Sequence, residues 1–284
     1  MKIPFKIDLT GKCAVITGAG GVLCSDFAKA ITSCGGSVAL LDINSEAIES
    51  VRDEIKKNCG KAIAIKTDCL NKTSLEEAKK IVDTEFGICN ILINGAGGNN
   101  GRATTTNEFF DAKAPAHSES QDFFSLSTDG FKFVFDLNVT AAFLTTQVFA
   151  YDMAKGEKGG NIINISSMNA FRPLTKIPAY SAAKSAVSNF TQWLAVHFAN
   201  AKIRVNAIAP GLFASNQNKN LLFNPDGSPT ERTKKILRGT PMGRFGNSDE
   251  LLGSLLFFLS EEASSFITGV ILCVDGGFSA YSGV

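Results

Sequence analysis

The chain has 284 residues, 44% of them apolar and 22 of them phenylalanine, enough to fill a substantial core in one α/β domain. A net charge of +1 without a basic cluster or an acidic tail argues against nucleic acid and charged membrane surfaces as partners. No apolar run of about 18 residues and no cationic leader is visible, and Met1–Asp8 is too polar for a signal peptide, so a soluble cytoplasmic protein is expected.

Cys13–Thr17 is a short apolar, β-branched run, which predicts a strand buried on both faces. Gly18-Ala-Gly-Gly21 follows, then helical periodicity over Val22–Ser33, then a strand over Val38–Leu41 with Asp42 at its end. A strand, a glycine turn, a helix, a strand and an acid in this order read as a dinucleotide-binding βαβ unit. Free N–H groups at the helix start favour a pyrophosphate, and glycine lets the backbone come close to it. Asp42 lies 24 positions after Gly18, near the spacing at which an acid reaches the ribose hydroxyls. Neither Ala19 nor Ile43 is basic, so nothing obvious neutralises a 2′-phosphate; NAD is expected rather than NADP.

Further strands are expected at Ala62–Lys66, Ile91–Ile93, Ile162–Ile165, Arg204–Ile208 and Val270–Val274, with helices between them. In the helix expected from Ser74 to Thr84, Ser74 and Glu77 read as a capping box. This alternation predicts an α/β fold with a doubly wound parallel sheet of the Rossmann type, in a single domain over residues 1–284. A long insertion at about 98–131 mixes acids with paired phenylalanines between Thr104 and Phe124. It reads equally as a lid over a site or as a surface insertion packed by its own aromatics.

Ser167 closes the strand-like run Asn161–Ser167, at the sheet edge where ligands bind in parallel sheets. Tyr180 and Lys184 share one helix face, one turn apart. A phenol has an ordinary pKa near ~10, and a neighbouring ammonium favours the phenolate. Together the three residues suggest proton transfer at a carbonyl or alcohol oxygen. A Tyr-x-x-x-Lys pair alone is common on solvated helices; the nucleotide unit gives it weight. Seven singly scattered cysteines without Cys-x-x-Cys predict free thiols and no metal site. His117 carries no signal, and His197 reads as a packed rather than a catalytic residue.

Thr17-Gly18, Asp68, Asn94-Gly-Ala-Gly97, Asn138, Ser167, Tyr180, Lys184, Pro210-Gly211, Thr268-Gly269 and Asp275-Gly-Gly277 stand in an order and spacing that resemble the short-chain dehydrogenase/reductase family along essentially the whole chain. The resemblance implies that Tyr180 is the general acid/base and that Lys184 lowers its pKa and holds the nicotinamide ribose. It implies further that Ser167 binds the reacting oxygen and that Asn138 orders a water towards Lys184. It places Asp68 and Cys69 near the adenine, and gives Asn94 a role in the central sheet. Gly18, Gly20, Gly21, Val22 and Leu23 would line the pyrophosphate turn, with Gly95, Ala96, Pro210 and Gly211 at neighbouring strand ends. One departure stands out: Val22 and Cys24 occupy positions where the family usually has glycine. Cys24 is small enough for close helix–strand packing, whereas Val22 crowds the turn unless Gly20 and Gly21 reshape it.

The same departure, with Asn94–Asn100, Asn164–Ala170 and the tail Asp275–Val284, resembles the subgroup of the family that interconverts D-mannonate and D-fructuronate with NAD(H). A sugar-acid pocket needs amides and a cation. Asn99, Asn100 and Arg102 follow one strand end, Asn169 and Arg172 follow Ser167, and Gln217 lies in the loop after Pro210-Gly211. Arg172 or Arg102 is the expected carboxylate partner. From the family, a homotetramer is expected, with the Ser185–Ala199 helix face at one interface. The alternatives are a dehydrogenase of another polyol, gluconate or 3-oxo substrate, and a catalytically silent NAD-binding regulator.

Overall fold

The computed structural model describes residues 7–113, 120–213 and 222–283. Its strands are β1 (Cys13–Thr17), β2 (Ser37–Asp42), β3 (Lys61–Lys66), β4 (Ile91–Asn94), β5 (Gly160–Ile165), β6 (Ile203–Pro210) and β7 (Ile271–Val274). All pair in parallel in the order β3-β2-β1-β4-β5-β6-β7, the doubly wound sheet expected. The order reverses between β1 and β4, the point at whose C-terminal strand ends such sheets form their ligand crevice.

Strand alternation distributes the core over both faces. Ala14 and Ile16 of β1 pack with Phe27 and Ile31 of α1 (Val22–Ser33) and with Ile48 of α2 (Ser45–Lys57). Cys13 and Val15 face Leu75 and Val82 of α3 (Lys72–Phe86) and Phe149 of α5 (Ala141–Lys155). Fully burying one such side chain contributes roughly 1.5–3 kcal/mol, which is why these runs show no polar alternation. The cap of α3 departs from expectation. Asn71, not Ser74, is the N-cap, accepting from the Ser74 N–H at 3.2 Å. The Ser74 hydroxyl instead accepts from the Asp68 N–H at 3.1 Å, tying the helix to the end of β3.

α4 (Thr128–Phe135), a π-turn over Asp136–Thr140 and α5 form one helical run, Thr128–Lys155. By length and composition it is apolar enough to cross a membrane, which the absence of a long apolar run did not lead us to expect, but half of its most apolar window is buried. One side of it packs against α3, β4 and α6 (Pro178–His197). The remaining helices described are α7 (Glu231–Arg238), α8 (Leu252–Leu259) and α9 (Glu261–Ser264).

Candidate active site

The turn after β1 is built around what glycine lacks. Gly18 has φ +66°, and a Cβ there would lie 2.8 Å from the Gly95 carbonyl oxygen. The Gly21 N–H donates to the Gly18 carbonyl at 3.0 Å, and Gly21 is the N-cap of α1. Val22 is therefore the first helical residue, and the two glycines that precede it form the turn. Asp42, at the end of β2, reaches into it: its Oδ2 accepts from the Gly20 N–H at 3.0 Å and its Oδ1 from the Asn44 N–H at 2.9 Å. A Cβ at Gly20 would come within 3.2 Å of that carboxylate, so glycine keeps the acid in the crevice. Ile43, directly after it, is two-thirds exposed and offers an apolar surface beside the acid.

Cys24 is buried as expected, and the structure shows what accommodates it. A Cβ at Gly95 would lie 2.2 Å from the Cys24 Sγ and 2.7 Å from the Thr17 carbonyl oxygen. The extra volume at position 24 is thus matched by its absence at position 95, across the α1–β4 contact. Burial pushes the Cys24 thiol up to about 12, so it stays neutral. Thr17 braces the same strand end, its Oγ1 accepting from the Gly95 and Ala96 N–H groups at 3.1 and 3.2 Å. The Asn94 Nδ2, at the end of β4, donates to Thr146 Oγ1 at 3.0 Å and to Asn164 Oδ1 of β5 at 2.8 Å. Asp68 and Cys69 stand just past β3, Cys69 buried and Asp68 exposed. Pro210 ends β6, and the Gly211 N–H donates to the Val274 carbonyl at 2.9 Å.

The acid–base group assembles above β4 and β5. Tyr180 and Lys184 lie on α6, and Ser167 follows β5 by two residues. Lys184 is buried; its Nζ donates to the Ile165 carbonyl at 2.8 Å and lies 5.6 Å from the Tyr180 ring centroid. Burial pushes its pKa down to about 8, close to working pH but still cationic at neutrality. The Tyr180 phenol departs from expectation. Burial pushes its pKa above the ordinary value, and a hydrogen bond with Ser167 only partly opposes this. The Lys184 ammonium, bound to the Ile165 carbonyl and sitting over the ring, does not reverse the shift.

Asn138 sits inside the π-turn, a distortion common at functional sites. Its Nδ2 donates to the Gly98 and Val134 carbonyls, both at 2.7 Å, and its Oδ1 accepts from the Gly98 N–H at 3.2 Å. A Cβ at Gly97 would lie 2.6 Å from that Oδ1 and 3.1 Å from the Lys184 Nζ. Gly97 therefore separates Asn138 from Lys184, a role visible in sequence only as part of the Asn94–Gly97 motif.

On the substrate side the proposed residues diverge. Asn169 is buried at 5% exposure beside Ser167, whose Oγ accepts from the Asn169 N–H at 3.2 Å, and its side-chain Oδ1 has no partner. Asn99 and Asn100 use their amides locally, Asn99 towards Thr104 Oγ1 at 2.9 Å and Asn100 accepting from the Arg102 N–H at 2.9 Å. Arg102 is exposed, and the exposed Arg172 donates from Nε to the Ser279 carbonyl at 3.0 Å. Gln217 and His117 lie outside the described residues. His197 stacks on Trp193, ring centroids 4.6 Å apart.

The insertion is stapled to itself and to the loop between Ser167 and Tyr180. Gln121 donates to the Gly101 and Thr104 carbonyls at 3.0 and 2.9 Å, while Phe109, Phe110, Phe123 and Phe124 remain exposed. The Thr105 N–H donates to the Lys176 carbonyl at 2.8 Å, and Lys176 carries φ +75°, a strained conformation for a non-glycine residue. Sequence patterns give no warning of that strain, which lies between Ser167 and Tyr180.

A family model described as short chain dehydrogenase matches residues 12–224. An uncharacterized oxidoreductase of Haemophilus influenzae is 57% identical, the alignment covering 100% of this chain and 99% of that protein. An uncharacterized oxidoreductase of Bacillus subtilis, UxuB, is 49% identical, covering 99% of this chain and 100% of its own length. Among solved structures, a Haemophilus protein provisionally named as a D-mannonate oxidoreductase, with bound NAD, superposes with a TM-score of 0.93 at 57% identity, covering 98% of each chain.

Proposed function

The chain belongs to the short-chain dehydrogenase family, and we propose that it is an NAD(H)-dependent oxidoreductase interconverting D-mannonate and D-fructuronate. The reading is carried by the likeness to the NAD-bound Haemophilus protein, whose name supplies both the substrate and the cofactor. The buried, unpartnered Oδ1 of Asn169 beside Ser167 supports it, because such an acceptor suits a substrate rich in hydroxyls.

The residues present fit NAD. The glycine turn at the start of α1 would receive a pyrophosphate, the Asp42 carboxylate beside it would meet ribose hydroxyls, and Asp68 and Cys69 would lie towards the adenine, as the family resemblance implies. NADH, when bound, would supply the hydride. The chain's own residues handle the oxygen: Ser167 and Tyr180 donate hydrogen bonds to the ketone oxygen and polarise it. Because burial keeps the Tyr180 phenol protonated at neutral pH, it holds the proton that ketone reduction consumes. Lys184 would hold the nicotinamide ribose and, with Asn138, would return protons to Tyr180.

In this reading the enzyme is a cytoplasmic homotetramer. The exposed Phe143 of α5 and the exposed Trp193 and Val196 of α6 form an apolar face suited to one subunit interface. The test is NADH oxidation with D-fructuronate, D-tagaturonate and 5-ketogluconate, repeated with NADPH. Fast turnover with fructuronate and NADH alone is expected. Turnover of another keto-acid instead would keep the chemistry and remove the substrate.

A further inference from the structure

We infer that Arg232, on α7, is the residue that receives the carboxylate of the substrate; this rests on the sugar-acid reading above. Arg232 is half-buried, and both its described partners are neutral: Nη2 donates to the Thr175 carbonyl at 2.8 Å and Nη1 to the Thr175 hydroxyl at 3.3 Å. No carboxylate of the described residues lies within ion-pairing distance of it. The acid whose field it feels, Glu108 of the insertion, is bound by Lys235 at 3.0 Å.

Its place in the helix is also unfavourable for a cation. Thr230 is the N-cap of α7 and Glu231 the first helical residue, so Arg232 stands in the first turn, where the helix dipole opposes positive charge. A guanidinium that is partly desolvated, set against the dipole and satisfied only by neutral oxygens, gains most from an incoming anion. Five N–H donors are present, and two are used by Thr175, which leaves a fork for a carboxylate.

The contact with Thr175 places this charge at the catalytic loop. Thr175 lies between Ser167 and Tyr180, and the next residue is the strained Lys176 that the insertion holds through Thr105. The two arginines favoured by sequence are placed less well. Arg102 is exposed on the turn after β4, and Arg172 is exposed and engaged with the tail at Ser279.

The experiment compares D-fructuronate with its methyl ester, which keeps the ketone and hydroxyls but has no charge, for wild type, Arg232→Ala, Arg232→Lys, Arg102→Ala and Arg172→Ala. Fluorescence titration with NADH verifies that each variant is folded and binds cofactor. Arg232→Ala is expected to raise KM for the acid at least about tenfold, as loss of a charge-assisted pair does, while leaving the ester within about twofold. Arg232→Lys should restore part of the difference, and Arg102→Ala and Arg172→Ala should leave the acid-to-ester ratio unchanged. An unchanged ratio in an NADH-binding Arg232→Ala, or a larger change at Arg102 or Arg172, overturns the inference and leaves the sugar-acid reading intact. A wild-type enzyme that reduces neither compound overturns the reading and the inference together.

Discussion

At the β1–β4 crevice, a methyl group added at Gly18, Gly95 or Gly97 would meet neighbouring atoms at 2.8, 2.2 and 2.6 Å. Across the same sheet edge, the insertion meets α7 through an exposed ion pair, Glu108–Lys235, and leaves four phenylalanines in solvent. The nucleotide side is fixed by backbone closeness, where there is no room to adjust. The substrate side is held by side chains at the ends of loops, where a lost contact can relax. One region therefore answers to substitution sharply and the other by degrees. In the proposed function this suits what each has to do: one side would hold the cofactor, while the other would select the sugar acid.

The largest effect is expected where both sides converge. Tyr180→Phe removes the proton donor without touching the crevice, so turnover should fall by about a thousandfold or more, with NADH affinity within a few-fold. Residual turnover within tenfold of wild type would remove Tyr180 from its role.

Next comes Gly95→Ala, which forces a Cβ against Cys24 and the Thr17 carbonyl. We expect a loss of about 1–3 kcal/mol, read as a lower Tm, together with weaker NADH binding. Adding Cys24→Gly should recover part of the loss and not all of it, since the Thr17 carbonyl stays in place. If the second substitution recovers nothing, the volumes at 24 and 95 are not coupled.

A third, intermediate effect concerns pH. The pKa of Lys184 is lowered to about 8, so its cation predominates at neutral pH and is lost as pH rises through that value. NADH titrations should show affinity falling above pH 8, with no such break in a Lys184→Met variant that has no charge to lose. A flat wild-type profile between pH 7 and 9 would contradict the assignment.

The smallest effect belongs to the substrate side. Glu108→Gln breaks an exposed pair and should raise KM for the keto-acid only about two- to fivefold, with kcat unchanged. A collapse of activity there would show that the two regions are not built as differently as described.

The same contrast governs what can be read from sequence. β1 and α1 are legible to within a residue because an apolar run, a glycine turn and a helical period follow one another without ambiguity. Ser167, Tyr180 and Lys184 are legible because their spacing is local to one strand end and one helix. The start of α3 is not, since Asn71 and Ser74 are both good capping residues and only the Asp68 contact decides between them. The upward shift of Tyr180 comes from desolvation where its partly buried side chain packs on the cluster containing Ala103 and Val134, which the Tyr-x-x-x-Lys spacing does not encode. Arg232 sits in a helix of mostly polar residues that reads as a solvated face, and its contact with Thr175 bridges 57 positions of sequence. The π-turn around Asn138 and the strain at Lys176 have no compositional signature.

The most direct test of the central claim is to incubate the enzyme with D-mannonate and NAD, follow NADH formation and identify the organic product by NMR. The expected result is one NADH formed per D-fructuronate, with no NADPH formed when NADP replaces NAD. Absence of NADH formation, or a product oxidised at a different carbon, would contradict it.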